Sequence, residues 1–142
     1  MAEVRRLFRE YQAEIGVDLC FQGFEEELST LPGRYSEPSG TILLAERGGA
    51  IAGMVALRPW EKDIAEMKRL YVLPTHQGSG LGRKLVYAII DAARKRGYKS
   101  IRLDTLPSMQ RATDVYRKIG FREIPPYTSN PVSGSLFLEL PL

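Results

Sequence analysis

The stretch EMKRLYVLPTHQGSGLGRKL, residues 66–85, sets the end of a β-strand, a sharp turn and the start of a helix in direct succession. The strand spans about Ile64 to Val72 and ends at Leu73-Pro74. Gln77-Gly78-Ser79-Gly80-Leu81-Gly82 occupies the junction. Glycines at such a place let the backbone approach a ligand closely and turn consecutive N–H groups toward one point. A helix N-terminus adds unpaired donors and the positive end of its dipole, a combination suited to a pyrophosphate. Isolated glycines usually make no more than a tight connection. Three within five positions at a helix start, each costing about 1 kcal/mol in propensity, call for a compensating role.

Outward from this stretch, the chain reads as one α/β domain over residues 1–142. Val4, Leu7, Phe8, Tyr11 and Ile15 keep helical spacing in an opening amphipathic helix over 3–15, with Gly16 as its stop. A short helix over Phe24 to Leu31 ends at Pro32-Gly33, and 33–40 reads as loop. Strands Thr41–Glu46 and Ala50–Arg58 flank a glycine hairpin turn. Behind the glycine-rich turn, Leu81, Leu85, Ala88, Ile89, Ala92 and Ala93 share one face of a helix that runs to Arg96. Ser100–Asp104 is a short strand, 109–119 a helix closed by Gly120-Phe121, and Leu136–Leu140 a last strand. Antiparallel strands followed by strand–helix–strand–helix–strand predict a mixed sheet covered by helices.

Composition narrows the classes. At 142 residues the chain can bury a core without disulfides, and no apolar run approaches the roughly 20 residues that span a bilayer. One Cys and one His make a tetrahedral zinc site a poor reading, so no metal is expected. The composition suits a reduced, cytoplasmic protein with no membrane partner. The net charge of +3 hides a split: residues 1–67 hold seven Lys/Arg against twelve Asp/Glu, and residues 68–122 hold thirteen against three. An acidic front and a basic middle suit a cationic partner on one side and a polyanion on the other. Nucleic acid is disfavoured as that polyanion, because Arg83, Lys84, Arg94, Lys95 and Arg96 lack interleaved stacking aromatics.

The glycine-rich turn fits neither the mononucleotide P-loop, with no Gly-Lys-Ser/Thr, nor G-x-G-x-x-G, because Arg83 stands where the third glycine would fall. Its Gln77, Gly80 and Gly82 match Q/R-x-x-G-x-G/A, and the chain thereby resembles the GNAT superfamily of N-acetyltransferases. The second GNAT signature, A-x-x-x-Y-x-x-x-G-F, is matched by Ala112, Tyr116, Gly120 and Phe121. The likeness covers nearly the whole chain and is closest to small bacterial-type members. One departure is Met109, where many relatives place an Asn that contacts the pantetheine arm.

The resemblance implies a mostly antiparallel sheet with a central parallel, splayed strand pair, and acetyl-CoA (coenzyme A) as cofactor. It implies cofactor contacts from Leu70, Tyr71, Val72, Gln77, Gly78, Ser79, Gly80, Leu81, Gly82, Arg83, Ser108 and Ala112. Within it, Val72 N–H is the expected oxyanion donor, Tyr116 the general acid and Glu66 the base acting through water. Taken alone, Tyr116 also reads as a core aromatic, and Glu66 as a solvated residue or a partner of Lys68. The expected reaction is transfer of acetyl to a primary amine of a small molecule or peptide by direct attack in a ternary complex. Glu25 and Glu26, with Tyr35, are expected to receive the cationic amine, although such a charge run is commonly a solvated helix face. His76 reads as a solvated loop residue and Cys20 as a small buried hydrophobe. A homodimer is compatible with this reading. A non-catalytic acyl-CoA sensor would keep 77–82 without turnover, and an RNA shift without acetyl-CoA binding would mark a nucleic-acid module.

Overall fold

A computed structural model describes residues 2–15, 24–128, 130 and 132–142. The elements are α1 (Ala2–Ile15), α2 (Phe24–Thr30), β1 (Thr41–Arg47), β2 (Ala50–Glu61), β3 (Ile64–Val72), α3 (Leu81–Lys95), β4 (Ser100–Thr105), α4 (Gln110–Ile119), β5 (Arg122–Glu123) and β6 (Leu136–Pro141). The strands form one six-stranded sheet in the order β1-β2-β3-β4-β6-β5, antiparallel except for β3 and β4. This is the mixed, helix-flanked sheet expected from the sequence. Gly16 and Cys20 lie outside the described residues.

Alternating side chains divide the sheet between two cores, as period-2 geometry requires. Val55, Leu57, Ala65 and Met67 pack under Leu85 and Ile89 of α3. Met54, Ala56 and Tyr71 face the opposite way, against Leu7 and Phe8 of α1 and Phe24 of α2. The loop after α2 contains a 3-10 turn, Gly33–Tyr35, which buries Tyr35 in this second core. Strand β2 runs three residues past its expected end at Arg58 and passes through Pro59. That is tolerated because β1 pairs no further than Leu57, so Pro59 has no neighbour on that side to lose a hydrogen bond to. The two-residue β5 was not expected; it is too short to show a period.

Two irregularities open the sheet. Between Met54↔Tyr71 and Ala56↔Lys68, Arg69 and Leu70 oppose the single residue Val55, which is a β-bulge. Arg69 adopts φ +59, a left-handed conformation that costs a non-glycine residue about 1–2 kcal/mol. Glu27 of α2 holds it there: Arg69 Nε donates to Oε2 at 2.9 Å and a terminal nitrogen to Oε1 at 3.1 Å. The guanidinium also lies 5.3 Å from the Phe24 ring centre and 5.9 Å from that of Tyr11. Second, β3 and β4 pair only through Ile64↔Ser100, Ala65↔Ile101 and Glu66↔Arg102. Beyond that point β3 stays paired with β2 as far as Val72, and β4 with β6 as far as Thr105. From Met67 onward the two central strands part, and a seam opens between them.

Candidate active site

The seam leads into a groove of about 490 Å³. One wall is the end of β3, through Leu70, Tyr71 and Val72; the other is the start of α4, through Ser108, Met109 and Ala112. The floor is the turn into α3. Gly78 has φ +80 and Gly80 φ +84, conformations open to glycine without steric cost. No side chain caps the first turn of α3, and no acidic residue lies in it, so its N–H groups and dipole face the groove uncompensated. Gln77 donates from Nε2 to the Val72 carbonyl at 3.0 Å, and Ser79 Oγ bonds to the His76 carbonyl, which ties the turn back on itself. Arg83 and Arg111 line the same end, and the Arg111 guanidinium lies beside Gly78. Together these groups form a cradle whose donors and positive charge suit an anion such as a diphosphate.

Most residues expected at the cofactor meet here. Leu70, Tyr71, Val72, Gln77, Gly78, Gly80, Gly82, Arg83, Ser108 and Ala112 all line the groove. Leu81 instead points into the core, and Ser79 is spent on holding the turn. His76 lines the groove rather than standing apart in solvent, a position its place one residue before Gln77 could have suggested. Tyr11, Glu14 and Arg111 also line it and were not expected. Only the tertiary approach of α1 and α4 brings them there. Gly80→Val should weaken acetyl-CoA binding at least about tenfold, because a β-branched residue resists positive φ at a cost of roughly 1–2 kcal/mol. Calorimetry would measure it, with the circular dichroism spectrum unchanged; undiminished affinity would remove the cradle from the binding site.

At the inner end of the groove the seam narrows to a cavity of about 30 Å³. Tyr11, Leu70 and Met109 line both spaces and so connect them. Lys68, Arg69, Asp104, Tyr116 and Asn130 line the inner one, with the apolar Met67, Leu103 and Leu106. Tyr116 is 3% exposed and packs on Phe121, whose position follows from the glycine closure of α4 through the Phe121 N–H bond to the Tyr116 carbonyl. It is therefore both a core aromatic and a lining residue. Burial, then the neighbouring Tyr11 and Asp104, raise its pKa above the ordinary phenol value, so it stays protonated at neutral pH. Among the described residues its hydroxyl has no hydrogen-bond partner. Leu70 lines the cavity with Tyr116, whereas Val72 lines only the outer groove. The bulge lies at Arg69 and Leu70, within the part of β3 that lines the inner cavity.

Glu66 is placed differently from expectation. It is 1% exposed, accepts from Arg58 at 2.7–2.8 Å on Oε1 and from the Tyr127 hydroxyl at 2.7 Å on Oε2. Both oxygens already accept hydrogen bonds, and Glu66 lines neither the groove nor the inner cavity. Lys68 pairs with Asp104, at 3.3 Å, rather than with Glu66. The residues expected for the acceptor also separate. Glu26 and Tyr35 line a second cavity of about 390 Å³ with Glu27, Arg34 and Arg58. Tyr35 is nearly enclosed there and donates to Glu27 Oε1 at 3.0 Å. Glu25 points away and pairs with Arg9 at the surface, 3.4 Å apart. Glu27 is the member of the acidic run that matters to the fold. Its spacing from Phe24 and Leu28 on the buried face of α2 was the available signal.

A mixed sheet with a parted parallel pair, and a helix N-terminus facing the parting, defines a class of acyl-CoA-dependent acyltransferases. The model of the acetyltransferase (GNAT) family matches residues 2–121, and the chain belongs to that family. An uncharacterized N-acetyltransferase of Schizosaccharomyces pombe is 38% identical over 140 residues, covering 97% of this chain and 86% of that protein. The crystal structure of a GNAT family acetyltransferase from Elizabethkingia anophelis with acetyl-CoA bound superposes with a TM-score of 0.63 at 26% identity. It covers 73% of this chain and 77% of that one. A GNAT acetyltransferase from Staphylococcus aureus shares the fold over 96% of this chain and 92% of its own, with a TM-score of 0.79 at 20% identity. Among the described residues no helix is long and apolar enough to cross a membrane.

Proposed function

We propose that the chain transfers the acetyl group of acetyl-CoA to a primary amine by direct attack within a ternary complex. The observation that carries this reading is the continuity of the glycine cradle, the unpaired edge of β3 and the inner cavity at Tyr116. In this reading the diphosphate of coenzyme A sits on the amides of 77–82, with Arg83 and Arg111 supplying cationic donors. The pantetheine arm lies along the edge of β3 that β4 leaves unpaired, where its amides find main-chain partners as a third strand would. Met109 packs against the arm by apolar contact and cannot offer a polar one.

The thioester then lies at the mouth of the inner cavity, where Tyr11, Leu70 and Met109 join it to the groove. The Leu70 N–H is the donor for the developing oxyanion, an interaction typically worth about 2.7–4 kcal/mol when preorganised. Tyr116 hands its proton to the departing thiolate; a thiol's ordinary pKa, near 8.5, lies below that of a buried phenol, so the transfer is uphill by itself and must be coupled to the collapse of the intermediate and to reprotonation of the phenolate. Alignment in a ternary complex contributes up to roughly 7–11 kcal/mol more. The acceptor approaches from the opposite side, between α2 and the segment that carries Tyr127 and Asn130. A thiol-release assay with acetyl-CoA tests this against amino acids, polyamines, arylalkylamines and peptide N-termini. Release with at least one amine, and acetylated product by mass spectrometry, is expected. Acetyl-CoA binding with no release across all four classes would make the protein a sensor instead.

A further inference from the structure

Lys68 stands two residues beyond Glu66 and just before the bulge. It is buried, and it lines the inner cavity that Tyr116 also lines. Asp104 of β4 reaches across the seam to it: Oδ1 lies 3.3 Å from Lys68 Nζ. The other oxygen, Oδ2, accepts from Asn130 Nδ2 at 3.0 Å, and Asn130 Oδ1 accepts from the Val132 N–H, also at 3.0 Å. The carboxylate is thus gripped from both ends, and the lysine is aimed by it. A space of about 30 Å³ beside the pair has room for a single water.

We propose that Lys68, positioned by Asp104 and Asn130, takes the proton from the attacking amine, the role expected of Glu66; this rests on the acetyl transfer proposed above. The neutral acceptor amine attacks the thioester carbon, a C–N bond forms and the carbonyl oxygen takes the charge. The amine nitrogen, now positive, gives one proton to neutral Lys68 Nζ. The C–S bond breaks, the sulfur keeps the electron pair, and Tyr116 protonates it. Lys68 then returns its proton through the water-sized space to the Tyr116 phenolate. Both side chains are reset, and the products are the amide and the free thiol of coenzyme A.

The surroundings suit a lysine that works in its neutral form. Burial pushes its pKa below the ordinary lysine value, and Arg69 and Arg58 add to that; Asp104 and Glu66 oppose it. Tyr116 from α4, Tyr11 from α1 and Asn130 line the cavity without a charge at neutral pH, and Arg69, which lines it too, is a cation that disfavours the ammonium. Asp104 is held ionised, its pKa lowered by Lys68 and Asn130 against the penalty of burial. The pair's mobile proton therefore belongs to the lysine.

Two measurements decide it. In the wild-type protein saturated with coenzyme A, the Lys68 ¹³Cε resonance is followed against pH. A midpoint at least about one unit below the free-lysine value near 10.4 is expected, falling further in Asp104→Asn, because an anion that favours the ammonium has been removed. A midpoint at or above the ordinary value overturns the proposal. In kinetics with the amine that the wild type acetylates fastest in the panel above, Lys68→Met should lower kcat about 100-fold or more and abolish the rise of kcat with pH. Its acetyl-CoA affinity by calorimetry should stay within about twofold. A folded Lys68→Met protein with kcat within about threefold of wild type also overturns the proposal. The titration needs no variant of Lys68, so it decides alone if that variant does not fold. Absence of acetyl-CoA binding by the wild type would defeat the transferase reading itself, before either measurement.

Discussion

Tyr116→Phe leaves the acetyl-CoA dissociation constant within about twofold and lowers kcat roughly 100-fold, the usual scale for losing a general acid. The two halves of that expectation come from different parts of the structure. Affinity is unchanged because the cradle at 77–82 lines the outer groove, which Tyr116 does not line. Packing is unchanged because the ring, which sits on Phe121 at 5.7 Å between centres, is kept by phenylalanine. What disappears is one proton, at one of the two phenols, with Tyr11, that line the inner cavity among the described residues. Steady-state kinetics and calorimetry on the same preparation measure both quantities. Unaltered turnover would return Tyr116 to a purely structural place on the buried stripe of α4.

The second large effect falls on stability. Glu27→Ala should cost about 3 kcal/mol of unfolding free energy, at the lower end of what is lost when one member of a buried ion pair is removed. Glu27 holds the Arg69 guanidinium through two oxygens, lies 3.8 Å from Arg58 and accepts from Tyr35, so one substitution disturbs three buried partners. Arg69 is 3% exposed and sits at positive φ, which leaves it little freedom to rotate out to water. Chemical denaturation measures the loss, and a melting temperature lowered by on the order of 10 °C should accompany it. A cost below about 1 kcal/mol would mean that Glu27 does not hold the bulge. Glu25→Ala is the natural control, because its pair with Arg9 is exposed and such pairs contribute little.

The contrast between those two glutamates also shows where reading residues in order succeeds and where it stops. The bounds of β3, Ile64 to Val72, are legible because Leu73-Pro74 ends the strand and the Gly-rich turn follows at once. The cradle is legible for the same reason: a diphosphate site made of consecutive amides is a local object. The bulge at Arg69 is not. No glycine marks it, and the conformation is imposed by a carboxylate forty-two residues earlier in the chain. Glu66 is hidden in the same way, since its placement depends on Tyr127, sixty-one residues downstream, as well as on the neighbouring strand through Arg58. From spacing alone, a carboxylate six residues before Val72 looks available for chemistry. Only the packed structure shows that both of its oxygens are taken. Leu70 is a milder case, because a single inserted residue in β3 shifts which side chains fall on each face, and spacing alone does not show the insertion.

The short register between β3 and β4 has a mechanical side. Three residue pairs make a narrow spine between two leaves, one of β1 to β3 and the other of β4, β6 and β5. A long molecule lodged in the opening would bind both leaves as thread binds a split page, adding its own affinity to the cohesion of the folded chain. Seen so, the acyl donor is a reagent for as long as it carries its cargo and a structural member for as long as it stays.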